Sequence, residues 1–187
     1  RQARSALQAG LDTLTPRDRF NVIQFNSQTH SLFMQPEVAT GNNLARARQY
    51  VDRLRADGGT EMAPALSRAL ETASEHEDGA RVRQVIFITD GAVGNEAALF
   101  RQIRRQLGNQ RLFTVGIGSA PNRHFMREAA RWGRGTYTAI HSPSDVDGPL
   151  KALFSAMESP VLTDVRVKWP GQHAGKESFP GRPGDLF

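Results

Sequence analysis

Residues 85–88 (Val-Ile-Phe-Ile) constrain this chain more than any other stretch. Four consecutive large apolar side chains, bounded by Gln84 and by Thr89-Asp90-Gly91, predict a strand shielded on both faces. That is the environment of a parallel sheet covered by helices. Residues 112–117 (LFTVGI) repeat the pattern, and residues 136–140 form a third, shorter run. Helical spacing fills the intervals, over residues 96–107, 123–131 and 144–157. Alternating strands and helices of these lengths predict an open α/β sheet with right-handed crossovers.

The first half of the chain fits the same plan. Ala3, Ala6, Leu7, Leu11 and Leu14 lie at helical spacing and stop at Thr15-Pro16. Residues 19–25 (RFNVIQF) read as one strand, residues 26–28 as a tight polar turn, and residues 29–34 as the antiparallel partner. Gly41-Asn42-Asn43 caps a helix carrying Leu44, Ala47, Val51 and Leu54. A further helix follows Asp57-Gly58-Gly59-Thr60, with Ala63, Leu66, Ala69, Leu70 and Ala73 on its apolar face. Pro160 breaks the register, and residues 161–169 (VLTDVRVKW) alternate like a half-exposed strand. We therefore divide the chain into an α/β domain, residues 1–159, and the beginning of a β-type segment, residues 160–187.

Composition narrows the chemistry. Cysteine is absent from the 187 residues, which excludes disulfides, thiolate metal sites and a thiol nucleophile. Lys plus Arg is 24 against 19 for Asp plus Glu, a formal charge of +5. Only Lys151, Lys168 and Lys176 are lysines, and the arginines are spread along the chain. They read as solvated helix faces, with no aromatic–basic interleaving of the RNA-binding kind, so no nucleic-acid partner is expected. No apolar run is long enough to span a membrane, and no basic-then-apolar leader is seen. Arg1-Gln2-Ala3-Arg4 opens in mid-helix without an initiator Met, so the chain is expected to be a piece of a longer protein.

Ligands in open α/β sheets collect at the carboxyl ends of the strands. Three polar loops qualify there: residues 26–29, residues 57–61, and Thr89-Asp90-Gly91 with Asn95-Glu96. Asp90 directly follows the apolar run and sets a carboxylate at the rim. Thr60 follows Gly58-Gly59, whose flexibility lets a hydroxyl approach a ligand. A hydroxyl with a carboxylate is half of an oxygen site for a hard cation such as Mg2+. The alternative roles are structural: Thr60 as the cap of the next helix, Asp90 as an Asx-turn residue, and Glu96 as a helix-start residue favoured by the dipole. His30, His76, His124, His141 and His173 have no metal-type spacing, and the Gly-x-Ser-x-Gly elbow and the P-loop are missing. Gly116-Ile117-Gly118 is a lone G-x-G. No enzyme is expected.

Several segments, in order and spacing, resemble the von Willebrand factor type A domain, and in particular the bacterial relatives of the inter-alpha-trypsin inhibitor heavy chains. They are residues 16–26 (PRDRFNVIQFN), 58–62 (GGTEM), 88–96 (ITDGAVGNE), 113–118 (FTVGIG) and 159–164 (SPVLTD). The resemblance implies a three-layer α/β/α, mostly parallel sheet with one antiparallel edge strand, lacking its first strand in this chain. It also implies a metal-ion-dependent adhesion site, with Thr60 and Asp90 as metal ligands and Gly59, Glu61, Gly91, Asn95 and Glu96 on the partner-binding face. In that family an Asp-x-Ser-x-Ser loop supplies further ligands, and this sequence has no such motif. Mg2+ (or Mn2+ or Ca2+) is thus expected in the parent protein, with weak or no binding by this chain.

The expected partner is a protein presenting an Asp or Glu carboxylate. The expected location is extracytoplasmic or at the cell surface, with any membrane tether outside this chain. The missing strand implies dimerisation, a strand swap, or gap-filling by residues 161–169. Alternatives are a structural scaffold without metal function, an accessory subunit of a cation-dependent enzyme complex, and an RNA-associated domain.

Overall fold

Strand β6 shows how the layers arise, because every residue of Arg111–Ile117 is buried. Its side chains alternate between two cores. Leu112 packs with Leu66, Leu70, Ile103, Phe125 and Met126 on one side of the sheet. Phe113, Val115 and Ile117 pack with Ala6, Leu150, Leu153 and Phe154 on the other. Thr114 is the polar exception, and its hydroxyl donates to the carbonyl of Met126 at 2.8 Å, so the buried group is satisfied.

The computed structural model describes residues 2–55, 58–71, 82–90, 94–118, 122–142 and 146–158. The elements in order are α1 (Gln2–Thr13), β1 (Arg19–Phe20), β2 (Ile23–Phe25), β3 (Thr29–Ser31), β4 (Glu37–Val38), α2 (Gly41–Asp52) and α3 (Met62–Glu71). They continue with β5 (Gln84–Thr89), α4 (Glu96–Gln106), β6, α5 (Arg123–Trp132), β7 (Arg134–Ile140) and α6 (Asp147–Glu158). Strands β5, β6 and β7 form a parallel sheet in that order. Helices α3, α4 and α5 cover one face, and α1 and α6 the other. This is the α/β sheet expected from the alternation, in the three-layer α/β/α arrangement that the family resemblance implies. Gln102 of α4 ties the covering layer together, donating to the Ala63 carbonyl at 2.8 Å and to Ser67 Oγ at 2.9 Å.

The antiparallel part consists of two short ladders, β1 with β4 and β2 with β3. Here the structure corrects the sequence reading: residues 19–25 are two strands rather than one. The cause is Asn21. Its Oδ1 accepts from the Val22 and Phe33 amides at 2.9 and 3.1 Å, and its Nδ2 donates to the Phe33 carbonyl at 2.9 Å. A side chain thus takes the bonds a continuous ladder would make. The same contacts end β3 at Ser31, short of the expected residue 34. Strand β4 had no signal in the sequence. Helix α2 is capped by Thr40, whose Oγ1 accepts from the Asn43 amide at 3.3 Å, in place of the Gly41-Asn42-Asn43 cap. Asn21→Ala should lower stability by about 1–3 kcal/mol, because three partly buried bonds go at once. Urea unfolding measures it, and an unchanged midpoint would show that Asn21 does not hold the strand break.

A second correction concerns β5. The sequence predicts it shielded on both faces, but only Phe87 and Thr89 are buried, while Val85, Ile86 and Ile88 are half-buried. The fully shielded strand is β6, which has neighbours on both edges. Among the described residues β5 pairs only with β6. On the face covered by α3, α4 and α5, its Phe87 ring stacks on Phe25 of β2, with centroids 5.3 Å apart and planes 10° apart. Residues 161–169, proposed to fill the gap beside β5, lie outside the described residues, as do Ala73 and the whole segment 160–187. Among the described residues no helix is long and apolar enough to cross a membrane.

Candidate functional site

Residues 58–61 lead into α3, and the β2–β3 turn holds them in place. The Gly59 amide donates to Ser27 Oγ at 2.9 Å, and the Glu61 amide donates to the Asn26 carbonyl at 2.8 Å. These two bonds bracket Thr60. The turn is itself braced, since Asn26 Oδ1 accepts from the Gln28 amide at 2.8 Å and the Asn26 amide donates to the Gln28 carbonyl at 3.0 Å. Gly58 has φ +85, and a Cβ there would lie 2.9 Å from Ser27 Oγ. Its backbone sign and the tightness of the approach both call for glycine. Helix α3 begins at Met62, so Thr60 does not immediately precede it.

Asp90 is the residue after β5, at the carboxyl end of the strand. Phe87, three positions earlier, carries the ring stacked on Phe25, and Phe25 is joined to Asn26. The Thr60 loop is thus tied, through one turn and one ring stack, to the strand that ends just before Asp90. Thr60, Asp90, Gly59 and Glu61 are all exposed. Gly91 lies outside the described residues.

Asn95 and Glu96 share this rim. Asn95 caps α4 from a left-handed conformation (φ 55), and its exposed side chain makes no cap bond. Its carbonyl accepts from the Ala98 and Leu99 amides at 3.0 and 3.2 Å. Glu96 is half-buried and already engaged, because Asn122 Nδ2 donates to its Oε1. Asn122 also caps α5 by accepting from the Phe125 amide at 3.1 Å. Glu96 thus staples the starts of two helices. The bracing roles of Ser27 and Asn122 were missed in the sequence, although an Asn before a helical run is a cap signal.

The donor set is a hydroxyl and a carboxylate, the oxygen chemistry of a hard divalent cation. Among the described residues no three His, Cys, Asp or Glu side chains cluster as a metal site. Two oxygen donors leave most of an octahedral shell to water or to other ligands. His30, His124 and His141 are exposed, and His76 and His173 lie outside the described residues.

Comparison with known proteins gives the family. A family model described as the von Willebrand factor type A domain matches residues 1–139. Mouse inter-alpha-trypsin inhibitor heavy chain 4 is 30% identical over 179 residues, covering 90% of this chain and 19% of that protein. The chain thus spans about a fifth of the length of this relative. Among solved structures, a von Willebrand factor type A protein from Catenulispora acidiphila is 27% identical with TM-score 0.70, covering 81% of this chain and 36% of that one. Proximal thread matrix protein 1 from the mussel byssus, whose structure has a zinc-occupied MIDAS motif, shares the fold at 16% identity and TM-score 0.62, covering 81% of this chain and 41% of that one. The chain belongs to the von Willebrand factor type A domain family.

Proposed function

We propose that this chain is a non-enzymatic protein-interaction domain that takes an acidic side chain of a partner protein through a divalent cation. The observation that supports the reading is the tie between the Thr60 loop and the strand that ends just before Asp90, made by the Phe25–Phe87 stack and by the bonds that residues 26 and 27 accept from Glu61 and Gly59. Thr60 would supply a neutral hydroxyl and Asp90 a carboxylate, directly or through water. A cation held by few protein charges keeps an electrophilic position for an external carboxylate. Gly59, Glu61, Gly91 and Asn95 would line the face around it, with Glu96 supporting the rim from its bond to Asn122.

Mg2+ is the cation the donor set suits best, with Mn2+ and Ca2+ as alternatives. Two donors from this chain would leave most of the shell to water and to the partner's carboxylate, so binding by these two alone would be weak. The zinc-occupied site of the mussel byssus protein supports a cation site in the fold. An extracytoplasmic or cell-surface location is part of the same proposal, supported by the likeness to the inter-alpha-trypsin inhibitor heavy chain.

Affinity capture from the native host, using the full protein with and without EDTA, tests the reading. A partner retained with Mg2+ and released by EDTA is the expected result. Capture indifferent to EDTA would favour a scaffold without metal function, and a steep loss with salt alone would favour phosphate contacts.

A further inference from the structure

Thr60 and Asp90 come from loops that share no described hydrogen bond with each other, yet one short segment touches the Thr60 loop and the strand that leads to Asp90. Phe25 stacks on Phe87, the strand residue three positions before Asp90, with centroids 5.3 Å apart. The next residue, Asn26, accepts from the Glu61 amide at 2.8 Å. Ser27 then accepts from the Gly59 amide at 2.9 Å. The segment is held from behind as well. The β2–β3 ladder pairs Phe25 with Thr29, and Arg68 of α3 donates to Ser31 Oγ at 3.4 Å and to the Met34 carbonyl at 2.6 Å.

We infer that Phe25, Asn26 and Ser27 act as a spacer that fixes the separation of the two proposed metal donors, with Ser27 a positioning residue that sets which cation the site prefers. This rests on the metal reading proposed above. The physical basis is the difference between the ions. Mg2+ demands near-ideal octahedral geometry at short distances, whereas Ca2+ accepts longer bonds and irregular shells. A donor loop clamped on both sides of Thr60 favours the demanding ion. Removing the Ser27 hydroxyl leaves Gly59 tied only to water and lets Thr60 drift, which a larger and more tolerant cation withstands. The Asn26 bond uses a main-chain carbonyl and survives side-chain substitution, so Ser27 is the adjustable half of the clamp.

The test uses the full protein, as wild type, Ser27→Ala and Ser27→Thr. Mg2+ and Ca2+ affinities are measured by calorimetry, and amide exchange of Gly59 and Glu61 is followed in the metal-free protein. Ser27→Ala should weaken Mg2+ by about fivefold, the equivalent of one net hydrogen bond, and weaken Ca2+ by less than about twofold. Ser27→Thr, which keeps the hydroxyl, should restore the Mg2+ preference. The Gly59 amide should exchange faster in Ser27→Ala, with the unfolding midpoint unchanged. Equal weakening of both ions would overturn the inference, as would an unaltered Mg2+ affinity or a Gly59 exchange rate that does not respond. A wild type that binds neither ion would instead remove the metal reading and the selectivity claim with it. The exchange measurement would still decide whether Ser27 clamps the Thr60 loop.

Discussion

Gly135→Ala should leave the domain unable to fold, or less stable by at least about 3 kcal/mol, the scale of severe overpacking. A Cβ built on Gly135 lies 2.4 Å from the Leu112 carbonyl oxygen and 2.9 Å from its carbon. One built on Gly133 lies 2.3 Å from the Leu112 Cβ. The obstacle in both cases is β6, the central strand, where Leu112 is buried and its amide donates to the Gly133 carbonyl at 2.9 Å. Backbone in the middle of a sheet cannot step aside.

The close approach has a local origin. The β6–β7 register shifts between Leu112 and Thr114, and Arg134 between the two glycines sits at φ 56. Arg134 is held there by donating to the carbonyls of Gly108 and Gln110 at 2.6 and 3.0 Å. This is the geometry of a bulge, in which extra backbone is accommodated by unusual dihedrals and absent side chains. Gly41→Ala is the internal control. It opens α2 with nothing within 4 Å of a built Cβ, and alanine in a helix stabilises by a few tenths of a kcal/mol or more. Urea unfolding of both variants checks the contrast. A Gly135→Ala protein with the wild-type midpoint would contradict the packing account.

The second large effect concerns binding rather than stability. Asp90→Ala in the full protein should reduce Mg2+-dependent partner binding by at least about a hundredfold, since even supporting shells around a metal are worth 10- to 100-fold. Thr60→Ala should cost less, because it removes a neutral donor and leaves the charge. Thr60→Ser should bind nearly as the wild type does. Both residues are exposed, so neither substitution should move the unfolding midpoint appreciably. Binding curves at fixed Mg2+, alongside thermal unfolding, separate the two effects. Full binding by Asp90→Ala would end its assignment as a ligand.

Much of the fold was legible because the parallel strands are apolar runs and the helices between them are strongly periodic. Residues 112–117 and the helix beginning at Glu96 match their predicted positions closely. What was not legible depended on single side chains acting against the pattern. Asn21 splits an apolar run that periodicity reads as one strand. The half-exposed flank of β5 is a matter of which strands are neighbours, and no local pattern carries that. At the candidate site, Thr60 and Asp90 stood out by their place after a glycine pair and after a strand, while their proposed metal roles come from the family resemblance. The bonds that Gly59 donates to Ser27 and Asn122 to Glu96 join residues far apart in the chain. Spacing alone has no means of showing such pairs.

The central claim is that residues 60 and 90 grip one cation from two loops. Paramagnetic broadening by sub-stoichiometric Mn2+ tests it most directly, recorded on the amide spectrum of the full protein with its domain labelled. Resonances of Gly59, Thr60, Glu61 and Asp90 should broaden together, recover with EDTA, and stay sharp in a Thr60→Ala/Asp90→Ala protein. Broadening centred elsewhere, or unchanged in that double variant, would contradict the account.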